Sequence, residues 1–384
     1  MNWKVYKLEE IAEIYGGGTP STKDSKNFGK EYSWITPKDL SSCTSKFIGS
    51  GERSLSSQGF KTQSSRMTPK NSIILTTRAP VGLIAINTLE TTTNQGCHSI
   101  VPDRNLVDLD FLYYLLKFNT KYLNQISGGT TFKELSRESL KSLKFAIPDL
   151  VEQRKLALRL NLLDEMIDIQ RLIVSKSEQA LDMVYQFYFK QYGTSSGDIG
   201  SKMMVEIDSA SVPELWNIKL LKDLANITTG KKDANFADSD GVYSFFTCGE
   251  EVLSCTDFAF EGKAVLVAGN GNFNVKIFDG KFNAYQRTYV VLPNNNKYFG
   301  LVYKAISEQI ETLSMGSRGS IVKFITMGDL ADIRIAFSKG NENNEALELM
   351  NSYADAILNA KNKISKLTNL IKFIGPITVS GQLA

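Results

Sequence analysis

The segment WKVYKLEEIAEIYGG (Trp3–Gly17) occurs a second time, in related form, as WNIKLLKDLANITTG (Trp216–Gly230). Tryptophan opens both copies, glycine closes both, and apolar residues fall at the same places between them. The following residues correspond at a constant shift of 213: Trp3 and Trp216, Val5 and Ile218, Leu8 and Leu221, Ile11 and Leu224, Ala12 and Ala225, Ile14 and Ile227, and Gly17 and Gly230. This agreement indicates an internal repeat.

The repeat continues along the chain in the same order. YSWIT (Tyr32–Thr36) corresponds to YSFFT (Tyr243–Thr247) at a shift of 211, and we expect Trp34 and Phe245 to face equivalent cores. Further on, the shift is 191 and then 190 for these pairs: Gln95 and Gln286, Pro102 and Pro293, Gly129 and Gly319, Leu140 and Leu330, Leu143 and Ile333, and Phe145 and Ile335. The chain is therefore predicted to be a tandem of two related halves.

The first half carries extra residues between Thr36 and Gln95, where the shift falls from 211 to 191. We place them in SSCTSKFIGSGERSLSSQGF (residues 41–60), a polar stretch that contains many serines. We predict that this stretch is a loop without a counterpart in the second half.

Each half is predicted to be a mixed α+β domain followed by a long helix. Short β-rich runs such as NSIILTT, GLIAIN, AVLVAG and RTYVVLP are bounded by glycine, proline and asparagine. We predict the first domain over residues 1–150 and its helix over 151–192, then the second domain over 214–340 and its helix over 341–374. Residues 193–213 are predicted to be a linker rich in glycine and serine, and residues 375–384 a tail.

Both long helices carry apolar residues at heptad spacing, which places them along one seam and requires a partner helix. In the first helix these residues are Leu160, Leu163, Ile167, Val174, Leu181 and Val184. In the second helix they are Ala346, Leu349, Tyr353, Ala356, Ala360, Leu367 and Leu370, with Lys363 as a polar member of the second row. We expect the two helices to pair with each other as an antiparallel or offset coiled coil; an intermolecular or trimeric coil is the alternative.

The composition excludes several classes of protein. The sequence has no run of eighteen apolar residues, so we expect no membrane span, and its polar N-terminus argues for a cytoplasmic protein. Four cysteines without a CxxC pair and a single histidine, His98, do not supply a zinc site. We interpret His98 as a polar residue near the start of a strand.

Two motifs typical of nucleotide-binding and DNA-methylating enzymes are missing from the sequence. It has no G-x-x-x-x-G-K-[ST] phosphate loop and no [DN]-P-P-[YFW]. The net charge of +3 neither requires nor excludes nucleic acid. Two similar modules on paired helices suit a partner with two separated sites, such as two unlike half-sites on B-DNA.

The chain resembles the specificity subunit of a type I DNA restriction-modification system. The resemblance is carried by WKVYKLEEIAEIYGGGTPST and LWNIKLLKDLANITTGKKDA at the module openings. The module closings SGGTTFKELSRESLKSLKFAIPDLVEQRKLALRLNLLDEMI and GSRGSIVKFITMGDLADIRIAFS add to it. The second half departs from the pattern, with Ser338 in place of a proline and Glu342-Asn343 in place of Glu152-Gln153.

The resemblance implies a subunit without catalytic activity that reads a bipartite, asymmetric sequence in double-stranded DNA through two target recognition domains. The paired helices would then set the gap between the half-sites and dock two modification (methyltransferase) subunits and the restriction (motor-nuclease) subunits. Those partners would bind S-adenosylmethionine, ATP and Mg²⁺; none is expected on this chain. A stand-alone DNA enzyme and a coiled-coil scaffold with two protein-binding modules are the competing interpretations.

Candidate DNA-contacting residues fall at matched places in the two halves. Arg78 and Asn270 correspond, and their preferences for guanine and adenine edges make them our first candidates for base reading. Each position also suits a simple turn. The other candidates are Gly17, Thr19 and Lys23 with Lys231 and Lys232; Gln95 with Gln286 and Arg287; and Thr130 and Lys133 with Arg318 and Lys323. Glycine turns, surface charges, buried amides and helix caps are the structural alternatives.

Overall fold

The computed structural model describes residues 3–62, 66–78, 80–127, 134–190, 216–315, 324–338 and 342–380. The chain divides into two compact units, one formed by Met1–Ile169 with Ile364–Ala384 and the other by Gln170–Lys363. Each unit contains one module and one part of each long helix. The predicted linker, residues 193–213, lies outside the described residues.

The first module opens with a short strand and helix and closes with a strand that returns to them. Its strands are β1 (Lys4–Lys7), β2 (Ala12–Gly16), β3 (Phe28–Gly29), β4 (Tyr32–Ile35), β5 (Phe47–Ile48), β6 (Ser54–Leu55), β7 (Ile73–Thr76), β8 (Ile84–Asn87), β9 (Thr92–Thr93), β10 (Cys97–Pro102) and β11 (Lys144–Ile147). Its helices are α1 (Leu8–Ile11), α2 (Pro37–Ser42), α3 (Ser57–Thr62), α4 (Leu109–Phe118), α5 (Thr120–Ile126) and α6 (Arg137–Lys141), and α7 (Leu150–Tyr185) follows them.

These strands form three sheets. The main sheet has the order β2-β10-β7-β8-β5, a second, which we call the small sheet, has the order β3-β6-β4-β9, and β1 pairs with β11. Helix α4 is buried along most of its length, including Phe111, Leu112 and Tyr114, and packs with Ile73, Leu75 and Ile100 of the main sheet in one apolar core. Burial of this face accounts for the sequence LDFLYYLLKF, because an apolar stripe on a surface helix faces a core.

The second module repeats this plan with longer strands. Its strands are β12 (Trp216–Leu220), β13 (Ala225–Thr229), β14 (Tyr243–Phe246), β15 (Val252–Cys255), β16 (Phe260–Ala268), β17 (Val275–Ala284), β18 (Thr288–Pro293) and β19 (Arg334–Ser338). Its helices are α8 (Leu221–Leu224), α9 (Phe299–Met315) and α10 (Met327–Ala331), followed by α11 (Glu342–Ser380). One sheet has the order β13-β18-β16-β17-β14-β15, and β12 pairs with β19.

Equivalent backbone hydrogen bonds confirm the predicted repeat. Leu8 N donates to Leu143 O at 2.8 Å, and Leu221 N donates to Ile333 O at 2.9 Å, as the shifts of 213 and 190 require. The bond from Asn94 N to Ile35 O (2.9 Å) likewise recurs as the bond from Tyr285 N to Phe246 O (2.8 Å). The two modules therefore share one fold.

Trp34 and Phe245 are both buried at equivalent places, as expected. Strand β4 pairs in parallel with β9, with Trp34 opposite Thr92, and β14 pairs in parallel with β17, with Phe245 opposite Asn283. The indole Nε1 of Trp34 donates to Gly18 O at 3.1 Å, which accounts for the one polar atom of this buried ring.

The prediction of an unmatched loop over residues 41–60 is wrong. Strand β6 lies within it and pairs with β4, with Tyr32 opposite Leu55, and β15 pairs with β14 in the same way, with Tyr243 opposite Cys255. The stretch also contains β5 and most of α3. Leu55 is fully buried and is the apolar residue that packs β6 into the module. The serines around it gave the sequence no strand pattern.

The two long helices pair within the chain, in opposite directions. In the first unit, Leu156 and Leu160 from the start of α7 share a core with Val379 from the end of α11. In the second unit, Leu181 and Tyr185 from the end of α7 share a core with the start of α11. Among the predicted seam residues of α7, Ile167 is also buried, and Leu163 and Val174 are half-buried.

Two details of the helices differ from the prediction. Helix α11 continues past residue 374 to Ser380, because Thr378 and Val379 are buried and Ile374 packs on the first unit's core. The tail predicted to begin at 375 is thus helical over most of its length. Helix α7 begins at Leu150, and a π-helical turn (Gln186–Lys190) follows Tyr185.

The second apolar row of α11 was also placed wrongly. Leu349 and Leu370 are exposed, whereas Met350, Ile357 and Ile371 are buried. The row that faces the core lies four residues after Ala346, not three, because a straight helix has 3.6 residues per turn. The first row is better placed: Ala346 and Ala360 are buried, and Tyr353 and Leu367 are half-buried. No helix in the described ranges has the length and apolar character to cross a bilayer.

Candidate nucleic-acid interface

The second module has a cleft of about 340 Å³ at one end of its sheet. It is lined by the residues that follow β16, the start of β18 and the segment before α10. The lining residues are Gly269, Asn270, Gln286, Arg287, Tyr289, Phe324 and Ile325. Three predicted DNA-contacting residues, Asn270, Gln286 and Arg287, are thus brought together.

Backbone hydrogen bonds fix the walls of this cleft. Gly269 N donates to Arg287 O at 2.9 Å, and Ile325 N donates to Gly269 O at 2.9 Å. The hydroxyl of Tyr289 donates to Ile325 O at 2.8 Å, and burial raises the pKa of this phenol. The loops that carry the polar side chains are therefore held by main-chain bonds that do not depend on those side chains.

The side chains at the mouth of the cleft differ in how firmly they are held. Gln286 Nε2 donates to Asp233 Oδ1 at 3.1 Å, which fixes its amide. Arg287 is exposed, and its main-chain oxygen rather than its guanidinium makes the bonds described above. Phe324 is 49% exposed although it is a large apolar side chain. Amide, guanidinium and aromatic groups on one rim match the edges and methyl groups of base pairs in a major groove.

The first module has the same loop arrangement with different side chains. Thr77 N donates to Gly96 O at 2.8 Å and Leu135 N donates to Thr77 O at 2.9 Å, matching the bonds around Gly269. Arg78 therefore occupies the position of Asn270. Both form an isolated antiparallel bridge, Arg78 with Glu134 and Asn270 with Phe324.

Arg78 forms an ion pair with Glu134, with 2.8 Å between a guanidinium nitrogen and Oε1. Both side chains are exposed by nearly half, so water screens the pair and its contribution to stability is about 0–1 kcal/mol. Little free energy is therefore needed to break the ion pair, and while it is formed it holds the guanidinium of Arg78 at the end of its loop.

Glu134 and Phe324 are two further residues of these loops that the sequence did not predict. They correspond at the shift of 190, immediately after SGGTTFK and GSRGSIVK. Each forms a bridge with a predicted site residue, Glu134 with Arg78 and Phe324 with Asn270. Such a pairing is not visible in the sequence. Thr130, Lys133, Arg318 and Lys323, in those two stretches, lie outside the described residues.

Gln95 and Thr19 lie side by side in the first module. Gln95 N lies 3.5 Å from the hydroxyl oxygen of Thr19, and both side chains are exposed. In the second module Gln286 N donates to Lys232 O at 2.9 Å, the equivalent contact. The repeat therefore keeps this loop pair in the same place in both modules.

Gly17 has a packing role. A Cβ at this position would overlap the carbonyl group of Asn94, and one at Gly230 would overlap that of Ala284. Gly17 N donates to Cys97 O at 3.2 Å, so its backbone donor is already satisfied. These contacts explain why glycine stands at both positions and leave no free N–H at Gly17 for a phosphate.

The predicted lysines are in different environments. Lys23 and Lys231 are exposed. Lys232 is half-buried, with its ammonium 4.0 Å from the centre of the Phe236 ring and 3.3 Å from Asp257 Oδ2. Lys232 is therefore held by its own module, whereas Lys23 and Lys231 extend into solvent.

His98 lies in β10, one residue after the strand begins, as interpreted from the sequence. Its Nδ1 lies 3.1 Å from Cys97 O, and burial lowers the pKa of the imidazole. His98 corresponds to Tyr289 in the second module, so it belongs to the floor of the equivalent loop arrangement.

A stripe of exposed apolar side chains runs along the first half of α7. It comprises Leu158, Leu162, Met166 and Ile169, each at least 49% exposed. Their spacing of four, four and three residues puts them on one face of the helix. The stripe is separate from the buried row formed by Leu156, Leu160 and Ile167.

Comparison with known proteins identifies the family. The model for the type I restriction modification DNA specificity domain matches residues 1–176 and 213–369. The MjaIX specificity subunit of Methanocaldococcus jannaschii is 36% identical over 233 residues, which are 60% of this chain and 53% of that protein. The EcoDI specificity subunit of Escherichia coli is 36% identical over 166 residues, 43% of this chain and 37% of that protein.

The matched part of the chain thus spans about half, or less, of the length of these curated relatives. A crystal structure of the S subunit of a type I restriction-modification system from M. genitalium has the same fold. The TM-score is 0.63 at 15% sequence identity, over 99% of this chain and 96% of that one.

Proposed function

We propose, on the premise that this chain belongs to the type I restriction modification DNA specificity family, that its two modules read the two unlike parts of a bipartite DNA target. One observation carries the proposal: the same backbone framework presents Arg78 in one module and Asn270 in the other. Arginine reads guanine and asparagine reads adenine by paired hydrogen bonds, so one framework with two side chains reads two sequences.

Arg78→Ala is expected to relax one position of one half-site only. Each paired contact discriminates against the wrong base by about 1–3 kcal/mol, so one guanine should lose its preference while the other half-site is unchanged. The measurement is selection of bound duplexes from a randomised pool, with the full chain in complex with its modification subunits.

Arg104→Ala is the matched control, since it removes another exposed arginine of the same module, one whose guanidinium donates to Asn71 O at 3.0 Å. Its selected sequence should equal that of the parent chain. An unchanged sequence for Arg78→Ala would refute the role of Arg78. No sequence-selective, salt-dependent retention of duplex DNA by the parent complex would instead favour a coiled-coil scaffold with two protein-binding modules.

We assign the exposed stripe of α7 to docking of the methyltransferase subunits. Leu158, Leu162, Met166 and Ile169 present a continuous apolar face, and a helix laid along it would bury side chains that water now covers. Leu162→Glu should weaken association with a modification subunit and leave the fold intact. Leu160, two residues before Leu162, is buried in the core, so a substitution there would test stability rather than docking.

Cofactor chemistry is assigned to the partner subunits. The sequence contains neither a [DN]-P-P-[YFW] motif nor a G-x-x-x-x-G-K-[ST] phosphate loop, so S-adenosylmethionine, ATP and Mg²⁺ would bind the modification and restriction subunits. This chain would then contribute recognition without catalysis. Whether the assembly cleaves DNA or only methylates it depends on those partners.

A further inference from the structure

Equivalent segments of the two modules carry opposite charge. The repeat aligns residues 18–72 with residues 231–264: Gly17 corresponds to Gly230 at one end. At the other end Ile73 lies opposite Ile100 as Val265 lies opposite Val291. The first segment has nine basic and four acidic residues, a net charge of +5. The second has three basic and seven acidic residues, a net charge of −4. We call them the basic segment and the acidic segment.

Much of the positive charge of the basic segment is exposed. Lys23, Lys26, Lys30, Lys61 and Lys70 are exposed, and no carboxylate in the described part of the chain forms an ion pair with them. Two other lysines of the segment form ion pairs: Lys38 with Glu52 at 2.5 Å, and the buried Lys46 with Asp110 at 2.7 Å. The exposed charge of the basic segment is therefore mostly positive.

Two acids of the basic segment, Asp24 and Asp39, form hydrogen bonds within the segment. Asp24 accepts from Lys26 N at 3.0 Å and from Gln58 Nε2 at 3.0 Å. Asp39 accepts from Thr36 N at 2.8 Å and from Glu52 N at 2.7 Å. These carboxylates cap turns, so they hold the segment together without neutralising the exposed lysines.

The basic segment adjoins the loops that carry the candidate base-reading residues. It forms three strands of the small sheet, and the fourth, β9, leads directly into Gln95. Gly18 N donates to Thr93 O at 2.8 Å, which fixes the chain before Lys23 against β9. Helix α3, which ends beside Lys61, is tied to the turn of Lys26 by the bond from Ser56 Oγ to Lys26 O at 2.5 Å. The chain that carries Lys23 and Lys26 is therefore tied by hydrogen bonds to β9 and α3, and β9 leads into the Gln95 loop.

The acidic segment offers no such surface. Asp238, Asp240, Glu250, Glu251 and Glu261 are exposed. Two of its three lysines are used internally, Lys232 with Asp257 at 3.3 Å and Lys263 with Asp355 at 2.6 Å. A phosphate strand passing this segment would meet carboxylates and be repelled.

We infer that the basic segment anchors the sugar-phosphate backbone of DNA, so that the first module holds its half-site strongly and the second module supplies mainly base reading. The inference rests on the proposed function. The two modules therefore contribute unequally to DNA affinity. Most of the salt-dependent affinity comes from the first module's half-site, because each phosphate neutralised by a lysine releases condensed counterions.

The test is the triple variant Lys26→Gln, Lys30→Gln and Lys61→Gln of the full chain in complex with its modification subunits. The control is Lys4→Gln, Lys144→Gln and Lys372→Gln, three exposed lysines of the same unit outside the basic segment. Affinity for the selected target is measured over a range of salt. The test variant should lose about 0.9 in the slope of log K against log salt for each phosphate contact removed, with unchanged base preferences.

Two duplexes complete the test, each keeping one half-site and scrambling the other. The parent complex should retain the duplex that keeps the first half-site at a salt concentration at which the other duplex dissociates. Equal retention of both duplexes, or equal slopes for the test and control variants, would overturn the anchoring role. Loss of sequence selectivity in the parent complex would instead overturn the proposed function itself, so the two failures are distinct.

Discussion

Gly17 lies where β2 ends, with its N–H donated to Cys97 O at 3.2 Å and its α-carbon against the carbonyl of Asn94. The neighbouring Gly16 has open space where a Cβ would be. We expect Gly17→Ala to destabilise the first unit by about 1–3 kcal/mol, because the Asn94 turn must move away. Gly16→Ala is the control and should be close to neutral. Urea denaturation of both variants measures the difference, and equal stability of the two would contradict the packing role.

The sequence predicted correctly which residues of the two modules occupy equivalent places. Gln95 and Gln286 stand in equivalent turns because the shift of 191 is also the shift of the hydrogen bonds around them. Glu134 could not be found in this way, since its partner Phe324 differs in chemistry. Its role comes from an ion pair with Arg78 across 56 residues, and pairing at that separation depends on the folded chain.

At the scale of elements, two adjacent residues of α11 lie on opposite sides of the boundary between its buried and exposed faces. Met350 is fully buried, whereas Leu349 is 44% exposed. Met350→Ala should destabilise the second unit by about 2–5 kcal/mol, the usual cost of removing a buried side chain. Leu349→Ala should change stability by about 0.5 kcal/mol or less, since exposed positions tolerate substitution. The comparison is made by urea denaturation, and a larger loss for Leu349→Ala would restore the seam predicted from the heptads.

The short elements of the first module marked the limit of sequence patterns. Strands β5 and β6 have two residues each, too few for an alternation of apolar and polar residues to be visible. They form because β8 and β4 supply hydrogen-bonding partners from distant parts of the chain. The long helices were predictable because their pattern extends over many turns. The choice between the third and fourth residue and the C-terminal end of α11 were predicted wrongly.

At the scale of the whole molecule, the repeat was visible in the sequence because both copies preserve the same apolar positions. What the sequence did not show is how the long helices are shared: each begins in one unit and ends in the other. This sharing follows from antiparallel pairing, since the start of α7 and the end of α11 enter the same core. Matched deletions, one in each helix, should therefore shorten the paired segment.

Removing one heptad from each long helix is expected to shorten the gap between the half-sites. Glu178 and Lys361 face each other at 3.6 Å, so Arg171–Ser177 and Asn362–Thr368 lie at matched levels of the pair. Their deletion keeps the heptad register and removes about 10.5 Å of helix, which equals about three base pairs of B-DNA. Selection of bound duplexes should return both half-sites unchanged with a gap shorter by that amount.

Deletion from one helix alone should disrupt the pairing of the two helices. The substitutions Lys176→Ala and Lys363→Ala keep the helix length and should leave the gap unchanged. An unaltered gap in the double deletion would show that the helices do not set the spacing.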